Sequence, residues 1–277
     1  MSKNILVLTQ PRTGSNLLCR LIGSQKNILN LGEYFGCSKF SVSLHTNILS
    51  QYINSNFLKG IDLYKPMLSK IVSSNSYHNS IMNYLNTDIL KNYILFNNHC
   101  VCLKVFHNHF QEQNLNVKEL FECFDVVFLL YRFNILDSFI SFEKCMINDI
   151  WSSRHPKFNK KESPKIIWDL NKYKQFYETQ VNAYKYYLEL LRDIQKPKIV
   201  IEYENMSRQT NKYLYLQNIF KEHNLFYKIP PKMIRDPIEK QSPEIRIEEN
   251  FINKQDFIQD YKSVKEIQYN PCFQKID

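Results

Sequence analysis

Residues 4 to 22, NILVLTQPRTGSNLLCRLI, constrain the fold more than any other part of the chain. Residues 5 to 8 are all apolar, which predicts a buried strand. After a Pro-Arg-Thr-Gly-Ser turn the chain enters a helical pattern, with apolar residues at Leu17, Leu18, Leu21 and Ile22. A strand, a tight turn and a helix in this order predict an anion-binding loop, because the helix dipole and converging backbone N–H groups favour negative charge there.

Two small residues occupy the centre of this turn. Gly14 lets the backbone approach an anion closely, and Ser15 is expected to cap the helix. Only five glycines occur in the chain, and four of them precede residue 37. The backbone is therefore most specialised where we place the site. Taken alone, the turn also fits an ordinary connection between a strand and a serine-capped helix.

The turn differs from the phosphate loop of nucleoside triphosphatases. The pattern GxxxxGK[ST] is absent, and Arg12 precedes the glycine where that pattern has a lysine after it. A magnesium-binding Asp would be expected at the end of a neighbouring strand, but the apolar run at 126–130 ends in Tyr131 and Arg132. We therefore expect a metal-free site built from cationic side chains and backbone groups, which argues against ATP hydrolysis.

The rest of the chain alternates between strand and helix patterns. Further strands are predicted at 100–106, 125–131 and 198–201, and helices at 117–124, 134–147, 171–194 and 208–222. The other segments are predicted to be a loop at 27–37, a helical insertion at about 38–99, a polar loop at 152–165 and an irregular tail from about 229. The pattern predicts one domain over residues 1–277, with a three-layer P-loop-type α/β fold around a mainly parallel sheet. Ligands bind such sheets at the strand C-terminal ends.

Charge and cysteine usage indicate the class of ligand and the cellular compartment of the protein. The net charge of +9 suits a polyanionic ligand. However, the lysines are scattered along the chain, which favours a general bias in amino-acid composition over a continuous basic surface that binds nucleic acid. Seven cysteines form no paired metal spacing, which indicates a reducing compartment. The first strand begins too early for a signal peptide, and no apolar run reaches membrane-spanning length. We expect a cytoplasmic protein without nucleic acid or a transmembrane segment; the oligomeric state, a homo-oligomer included, stays open.

A second anion-binding pair follows the strand at 125–131. Arg132 leaves that strand, and Ser141 lies in the helix that comes next. A guanidinium and a hydroxyl that converge from a strand end and a helix can clamp a phosphate. Taken alone, the arginine fits a structural salt bridge better. Together with the first turn, the pair predicts a second anion site on the same sheet edge.

Three motifs in this order resemble the sulfotransferases that use 3′-phosphoadenosine 5′-phosphosulfate (PAPS). They are PRTGSN at 11–16, EYF at 33–35 and YRFNILDSFIS at 131–141, with a weaker match in YENM at 203–206. The closest similarity is to the bacterial branch typified by trehalose and glycolipid sulfotransferases. The resemblance implies PAPS as donor, PAP as product and no metal. It also implies that the 5′-phosphosulfate is bound by Arg12, Thr13, Gly14, Ser15 and Asn16, and the 3′-phosphate by Arg132 and Ser141.

The resemblance also implies roles in catalysis. Glu33 matches the general base of that branch, while Arg12 would face the charge that grows on the oxygen between sulfur and the 5′-phosphate. His109 is a rival base, because another branch uses a histidine shortly after a strand lysine such as Lys104. The family's C-terminal Gly-rich cofactor loop is missing, and Lys240 is the candidate to replace it.

The acceptor follows from analogy alone. The residues expected to contact it are Glu33, Tyr34, Phe35 and Lys104. The predicted function is sulfuryl transfer from PAPS to an acceptor hydroxyl, with a carbohydrate or glycolipid favoured. A tyrosyl peptide or another small-molecule hydroxyl is the alternative acceptor. A P-loop nucleotide phosphotransferase and a polyanion-binding protein are the alternative functions. Without the resemblance, a solvated loop carboxylate would account for Glu33.

Overall fold

The computed structural model describes residues 3–25, 28–33, 35, 90, 94, 100–112, 115–148, 164–225 and 247–273. Its strands are β1 Ile5–Thr9, β2 Ile28–Gly32, β3 Cys100–Phe106, β4 Val126–Tyr131 and β5 Lys198–Glu202. Its helices are α1 Ser15–Gly23, α2 His107–Glu112, α3 Val117–Glu122, α4 Ile135–Asn148, α5 Leu170–Arg192, α6 Tyr203–Ser207, α7 Lys212–Glu222 and α8 Lys254–Glu266. Two short 3₁₀ turns, Ile247–Asn250 and Pro271–Phe273, complete these elements. No helix in these ranges is long and apolar enough to cross a membrane.

The five strands form one sheet in the order β2-β3-β1-β4-β5, and each neighbouring pair is parallel. Every residue of β1 is buried, because the strand lies in the middle of the sheet with helices on both faces. Leu6 and Leu8 pack into the cluster that includes α5, while Ile5 and Val7 pack with α1 and α7 on the other face. The predicted α/β fold with helices on both sides of a parallel sheet is confirmed.

The region after α1 differs from the sequence prediction. Residues 27–37 were expected to form a loop, yet Ile28–Gly32 is an edge strand that pairs with β3. The glycines that suggested a loop have a narrower role here: Gly32 ends the strand with a φ of 56°, next to a register shift. Because β2 is parallel to β3, and β3 is parallel to β1, the end of β2 lies at the same edge of the sheet as the end of β1.

The C-terminal part is also more regular than predicted. The helix expected at 208–222 begins later, at Lys212, as α7, and a separate short helix, α6, precedes the predicted range. Asn211 caps α7, since its side chain accepts a hydrogen bond from Leu214 N at 3.0 Å. The tail from 229 was expected to be irregular, but residues 254–266 form α8. Phe257 and Val264 of α8 are buried against α4 and α5, so apolar spacing outweighs the charged composition of this segment.

Candidate active site

Each strand delivers a polar residue to the same edge of the sheet. Arg12 follows β1, Glu33 follows β2, Arg132 follows β4 and Glu204 follows β5, while Lys104 lies near the end of β3. Parallel strands end at one edge, so these side chains meet although they are distant in sequence. This edge is the candidate active site.

The loop between β1 and α1 has an unusual backbone. Arg12 and Gly14 both have positive φ angles, 66° and 78°. Gly14 is the residue that caps α1, and no side chain closes the helix N-terminus. The expectation that Ser15 caps the helix is therefore wrong: Ser15 is the first helical residue and is buried. The first N–H groups of a helix lack partners within it, and here Leu17 N is the first for which a backbone partner is seen, the Gly14 carbonyl at 2.9 Å.

The Thr13 side chain supports the loop from inside. Its hydroxyl donates to the Gln10 carbonyl at 2.7 Å and lies 2.5 Å from the Thr9 hydroxyl. Only 1% of Thr13 is exposed. Of the loop positions predicted to bind an anion, Thr13 can therefore offer its backbone N–H, because its side chain is engaged with the loop itself.

Tyr203, the first residue of α6, lies between the loop and Arg132. Its ring contacts Gly14 so closely that a Cβ at that position would overlap it. The Arg132 guanidinium carbon lies 4.8 Å from the centre of the same ring. The glycine is thus required twice, for its left-handed backbone and for the space that Tyr203 occupies.

The two predicted anion pockets are in direct contact. Arg12 Nε donates to the Ser141 hydroxyl at 3.0 Å, and Arg132 Nη1 donates to the Arg12 carbonyl oxygen at 3.3 Å. Arg132 therefore points towards the loop after β1. These contacts bring the loop, the strand end and α4 together at one edge of the sheet.

Two carboxylates hold the Arg132 guanidinium in place. Nη2 donates to Asp137 Oδ2 at 3.2 Å, and Nε lies 3.8 Å from Glu204 Oε1. Glu204 also accepts hydrogen bonds from the backbone N–H groups of Phe133 and Asn134, both at 3.0 Å. Arg132 Nε is buried and makes no hydrogen bond with the residues that the structure describes. A buried donor without a hydrogen-bond partner is unusual in a folded protein.

Lys104 connects the candidate base to the first helix. Its ammonium group lies 2.6 Å from Glu33 Oε1 and donates to Asn16 Oδ1 at 2.5 Å. The Lys104 side chain is only 3% exposed, whereas that of Glu33 is 30% exposed. One buried cation thus places a solvent-accessible carboxylate beside the loop that starts α1.

His109 lies near this group but in a different environment. Only 3% of the residue is exposed, and Nδ1 accepts a hydrogen bond from Phe106 N at 3.3 Å. Burial lowers the pKa of His109 to about 4, partly offset by Glu33 and Glu112, while Lys104 lowers it further. The ring is neutral near pH 7, and its proton lies on Nε2 because Nδ1 is an acceptor.

The remaining predicted residues divide into two groups. Phe35 is fully buried in the core cluster with Leu31 and Leu90, so its ring fills the core in this structure. Tyr34 and Lys240, and most of the predicted insertion at 38–99, lie outside the described residues.

Three residues of this edge were not given a role by the sequence. Asp137 lies within the YRFNILDSFIS motif, and Tyr203 and Glu204 open the YENM stretch. Their positions could have identified them, because each lies shortly after a buried strand. Parallel sheets place functional side chains at such positions. What the sequence could not show is that all three converge on Arg132.

Two further features bear on ligands. Within the described ranges, no group of three or more His, Cys, Asp or Glu side chains could hold a metal ion.

An open cavity of about 370 Å³ lies away from the strand ends, between α5 and the last 3₁₀ turn. It is lined by Lys185, Leu188, Glu189, Arg192, Pro271 and Cys272. None of these residues belongs to the strand ends, so we place the site by its convergent polar groups instead of by this cavity.

No family model and no curated protein matches the chain. Among solved structures, the fold is similar to that of a sulfotransferase domain from the curacin biosynthetic pathway, at 13% sequence identity and a TM-score of 0.40. The similarity covers 82% of this chain and 76% of that one.

Proposed function

We propose that the protein transfers a sulfuryl group from PAPS to the hydroxyl of an acceptor. The observation that carries this proposal is the Lys104 contact, which places the Glu33 carboxylate 2.6 Å from a cation that also binds Asn16 at the start of α1. A base thereby stands beside an anion-binding loop. The three ordered motifs, whose resemblance is to PAPS-dependent sulfotransferases, support the same function.

The residues at this edge suit a nucleotide with phosphate groups at both ends. The 5′ end would be bound by Arg12 and the backbone N–H groups of residues 13 to 16. The 3′-phosphate would be bound by the Arg132 guanidinium and the Ser141 hydroxyl. Arg12 joins the two ends, since its side chain contacts Ser141 and its carbonyl accepts from Arg132.

The bound donor would supply an activated sulfur whose bond to the 5′-phosphate oxygen breaks during transfer. The acceptor oxygen forms the new bond to sulfur, and Glu33 takes the acceptor proton, for which its exposed carboxylate is suited. Arg12 and the loop N–H groups stabilise the charge that develops on the leaving oxygen. His109 is less suited as the base, because its Nδ1 is occupied by Phe106 N and its Nε2 carries the proton. A carbohydrate or glycolipid hydroxyl is the acceptor that the resemblance favours.

Binding of PAP compared with binding of ATP and Mg²⁺ tests the first step. We expect PAP to raise the melting temperature of the protein, and ATP with Mg²⁺ to have a much smaller effect. Stabilisation by ATP that depends on Mg²⁺ would instead support a nucleotide phosphotransferase. Tight binding of nucleic acid with a steep salt dependence would support a polyanion-binding protein.

Transfer of labelled sulfate from PAPS to a panel of sugars, glycolipids, phenols and tyrosyl peptides tests the reaction. Glu33→Gln should keep PAP binding and lose turnover. Arg12→Asn, chosen because asparagine tolerates a positive φ, should lower turnover about 100-fold or more. Lys254→Gln, a change of one exposed charge on α8, is the control. Full turnover in Glu33→Gln would place the base elsewhere.

A further inference from the structure

Two tyrosines of helix α5 contact the ends of two neighbouring strands. Tyr184 and Tyr187 lie one helical turn apart, and only 1% and 0% of their surfaces are exposed. The Tyr187 hydroxyl donates to the Thr9 carbonyl at 2.8 Å, with the Val105 carbonyl at 3.4 Å, and accepts from Gln10 Nε2 at 3.0 Å. Tyr187 therefore holds the last residue of β1 and the residue after it, directly before the anion-binding loop.

Tyr184 makes the equivalent contact with β4. Its hydroxyl donates to the Leu130 carbonyl at 3.2 Å. Tyr184 therefore holds the end of β4, from which Arg132 leaves. Burial raises the pKa of both phenols, so both hydroxyls keep their protons and remain donors.

The contacts are specific to the hydroxyl groups. A phenylalanine at either position would fill the same core volume, but it would leave a buried strand-end carbonyl without that donor. The strands themselves would keep their pairing, because β1 and β4 pair from Ile5 and Val126 up to Leu8 and Leu129. The effect of losing one hydroxyl should therefore fall on the chain just beyond the strand end.

We propose that Tyr184 and Tyr187 are positioning residues that fix the two phosphate-binding arms to one helix. One arm is the loop that carries Arg12, whose position Tyr187 fixes. The other arm is the end of β4 that carries Arg132, whose position Tyr184 fixes. Because both tyrosines belong to α5, this helix also fixes the distance between the two arms. This inference rests on the proposed function, since it assigns the two arms to the 5′ and 3′ ends of one adenosine nucleotide.

Three variants that each remove one hydroxyl from α5 test the inference. They are Tyr187→Phe, Tyr184→Phe and the matched control Tyr173→Phe. Tyr173 is also fully buried, but its hydroxyl donates to the Ile267 carbonyl at 2.8 Å and not to a carbonyl of a strand. Calorimetry measures the binding of adenosine 5′-phosphate, adenosine 3′-phosphate and PAP. We expect Tyr187→Phe to weaken the binding of adenosine 5′-phosphate about fivefold. Tyr184→Phe should weaken the binding of adenosine 3′-phosphate to a similar extent. Tyr173→Phe should lower the melting temperature without changing either affinity.

Hydrogen exchange on the free protein gives a second readout that needs no nucleotide. We expect faster exchange in residues 10 to 16 for Tyr187→Phe and in residues 131 to 133 for Tyr184→Phe. If all three variants lose stability alike, with no local change in exchange or in relative affinity, the tyrosines are only core residues and the inference is wrong. If the wild-type protein binds none of the three nucleotides, the proposed function fails, and the exchange pattern still decides whether the tyrosines position the two arms.

Discussion

Arg12 and Ser141 are hydrogen-bonded to each other, with Arg12 Nε donating to the Ser141 hydroxyl at 3.0 Å. The sequence places them in two separate anion pockets, one after β1 and the other on α4. Their contact means that a ligand in one pocket touches a side chain that is fixed by the other. Both ends of a nucleotide would then be recognised by one connected group of residues.

This contact predicts a loss of donor affinity in Ser141→Ala. Without the hydroxyl, the Arg12 side chain loses a partner that fixes its orientation, and the 3′-phosphate loses a donor. We expect PAP binding to weaken about tenfold, because one or two hydrogen bonds to charged groups are lost. Calorimetry measures the change. Ser138→Ala, at a buried position one turn earlier on α4, is the control and should bind PAP like the wild type.

The sequence predicted the main features of the fold for a simple reason. The strands β1, β3 and β4 are apolar except for Thr9 and Lys104, which is the pattern of a strand buried on both faces. Edge strand β2 was missed because its pattern is mixed, with Asn30 between Leu29 and Leu31, and because Gly32 suggested a turn. Helix α8 was missed because its charged residues conceal a narrow apolar side that packs against α4 and α5.

The candidate site was predictable only in part. The order of the motifs predicted that Arg12, Ser141 and Arg132 share one edge, since parallel strands end together. The sequence could not show that Lys104 would contact Glu33 and Asn16, because that contact depends on β2 pairing beside β3. It also could not show that Arg132 is held by Asp137 and Glu204, since pairing between charged side chains depends on rotamers and on packing.

Alanine substitutions at two glycines separate backbone strain from steric overlap. Gly14 and Gly32 both have positive φ angles, 78° and 56°, but a Cβ at Gly32 meets no atom within 4 Å, while one at Gly14 overlaps the Tyr203 ring. We expect Gly32→Ala to lower the free energy of unfolding by about 1 kcal/mol. Gly14→Ala should lower it by about 1–3 kcal/mol more, because the ring must move.

Urea unfolding measures both glycine variants, and a double variant identifies the cause of the difference. In a Tyr203→Ala background, the cost of Gly14→Ala should decrease to about that of Gly32→Ala, since the overlapping ring is gone. Equal costs for the two single variants in the wild-type background would mean that the Tyr203 contact is easily relieved.

His109 predicts a pH dependence of stability in the acidic range. Burial lowers its pKa to about 4 in the folded state, against 6.5 for an exposed histidine. Between these two pH values the unfolded chain binds a proton that the folded chain does not. The free energy of unfolding therefore keeps its full His109 contribution above pH 6.5 and loses it as the pH falls towards 4, by an amount on the order of 3 kcal/mol.

Urea unfolding across this pH range measures the contribution of His109. His109→Asn is the test variant, because an amide oxygen can accept from Phe106 N without titrating. We expect the pH dependence between 6.5 and 4 to be clearly weaker in His109→Asn than in the wild type. His107→Asn is the control: its pKa is also lowered by burial, but the residue is partly exposed, so its effect should be smaller. An unchanged pH dependence in His109→Asn would show that His109 titrates normally.

Asp137→Asn tests whether the carboxylates beside Arg132 compete with a ligand. Asp137 Oδ2 lies 3.2 Å from Arg132 Nη2, on the guanidinium that is proposed to bind the 3′-phosphate. Removing this negative charge should strengthen PAP binding by up to about fivefold, the range of a partly exposed ion pair. The gain should decrease at high salt, where the repulsion between Asp137 and the phosphate is screened.

Calorimetry at low and high salt measures this gain, and Glu143→Gln is the matched control. Glu143 lies on the same helix and loses the same charge, but its carboxylate is paired with Lys172 instead of Arg132. A similar gain in both variants would indicate a general effect of net charge. Weaker binding in Asp137→Asn would show the opposite role for this carboxylate, because Arg132 would then need Asp137 to hold its guanidinium in the orientation that meets the phosphate.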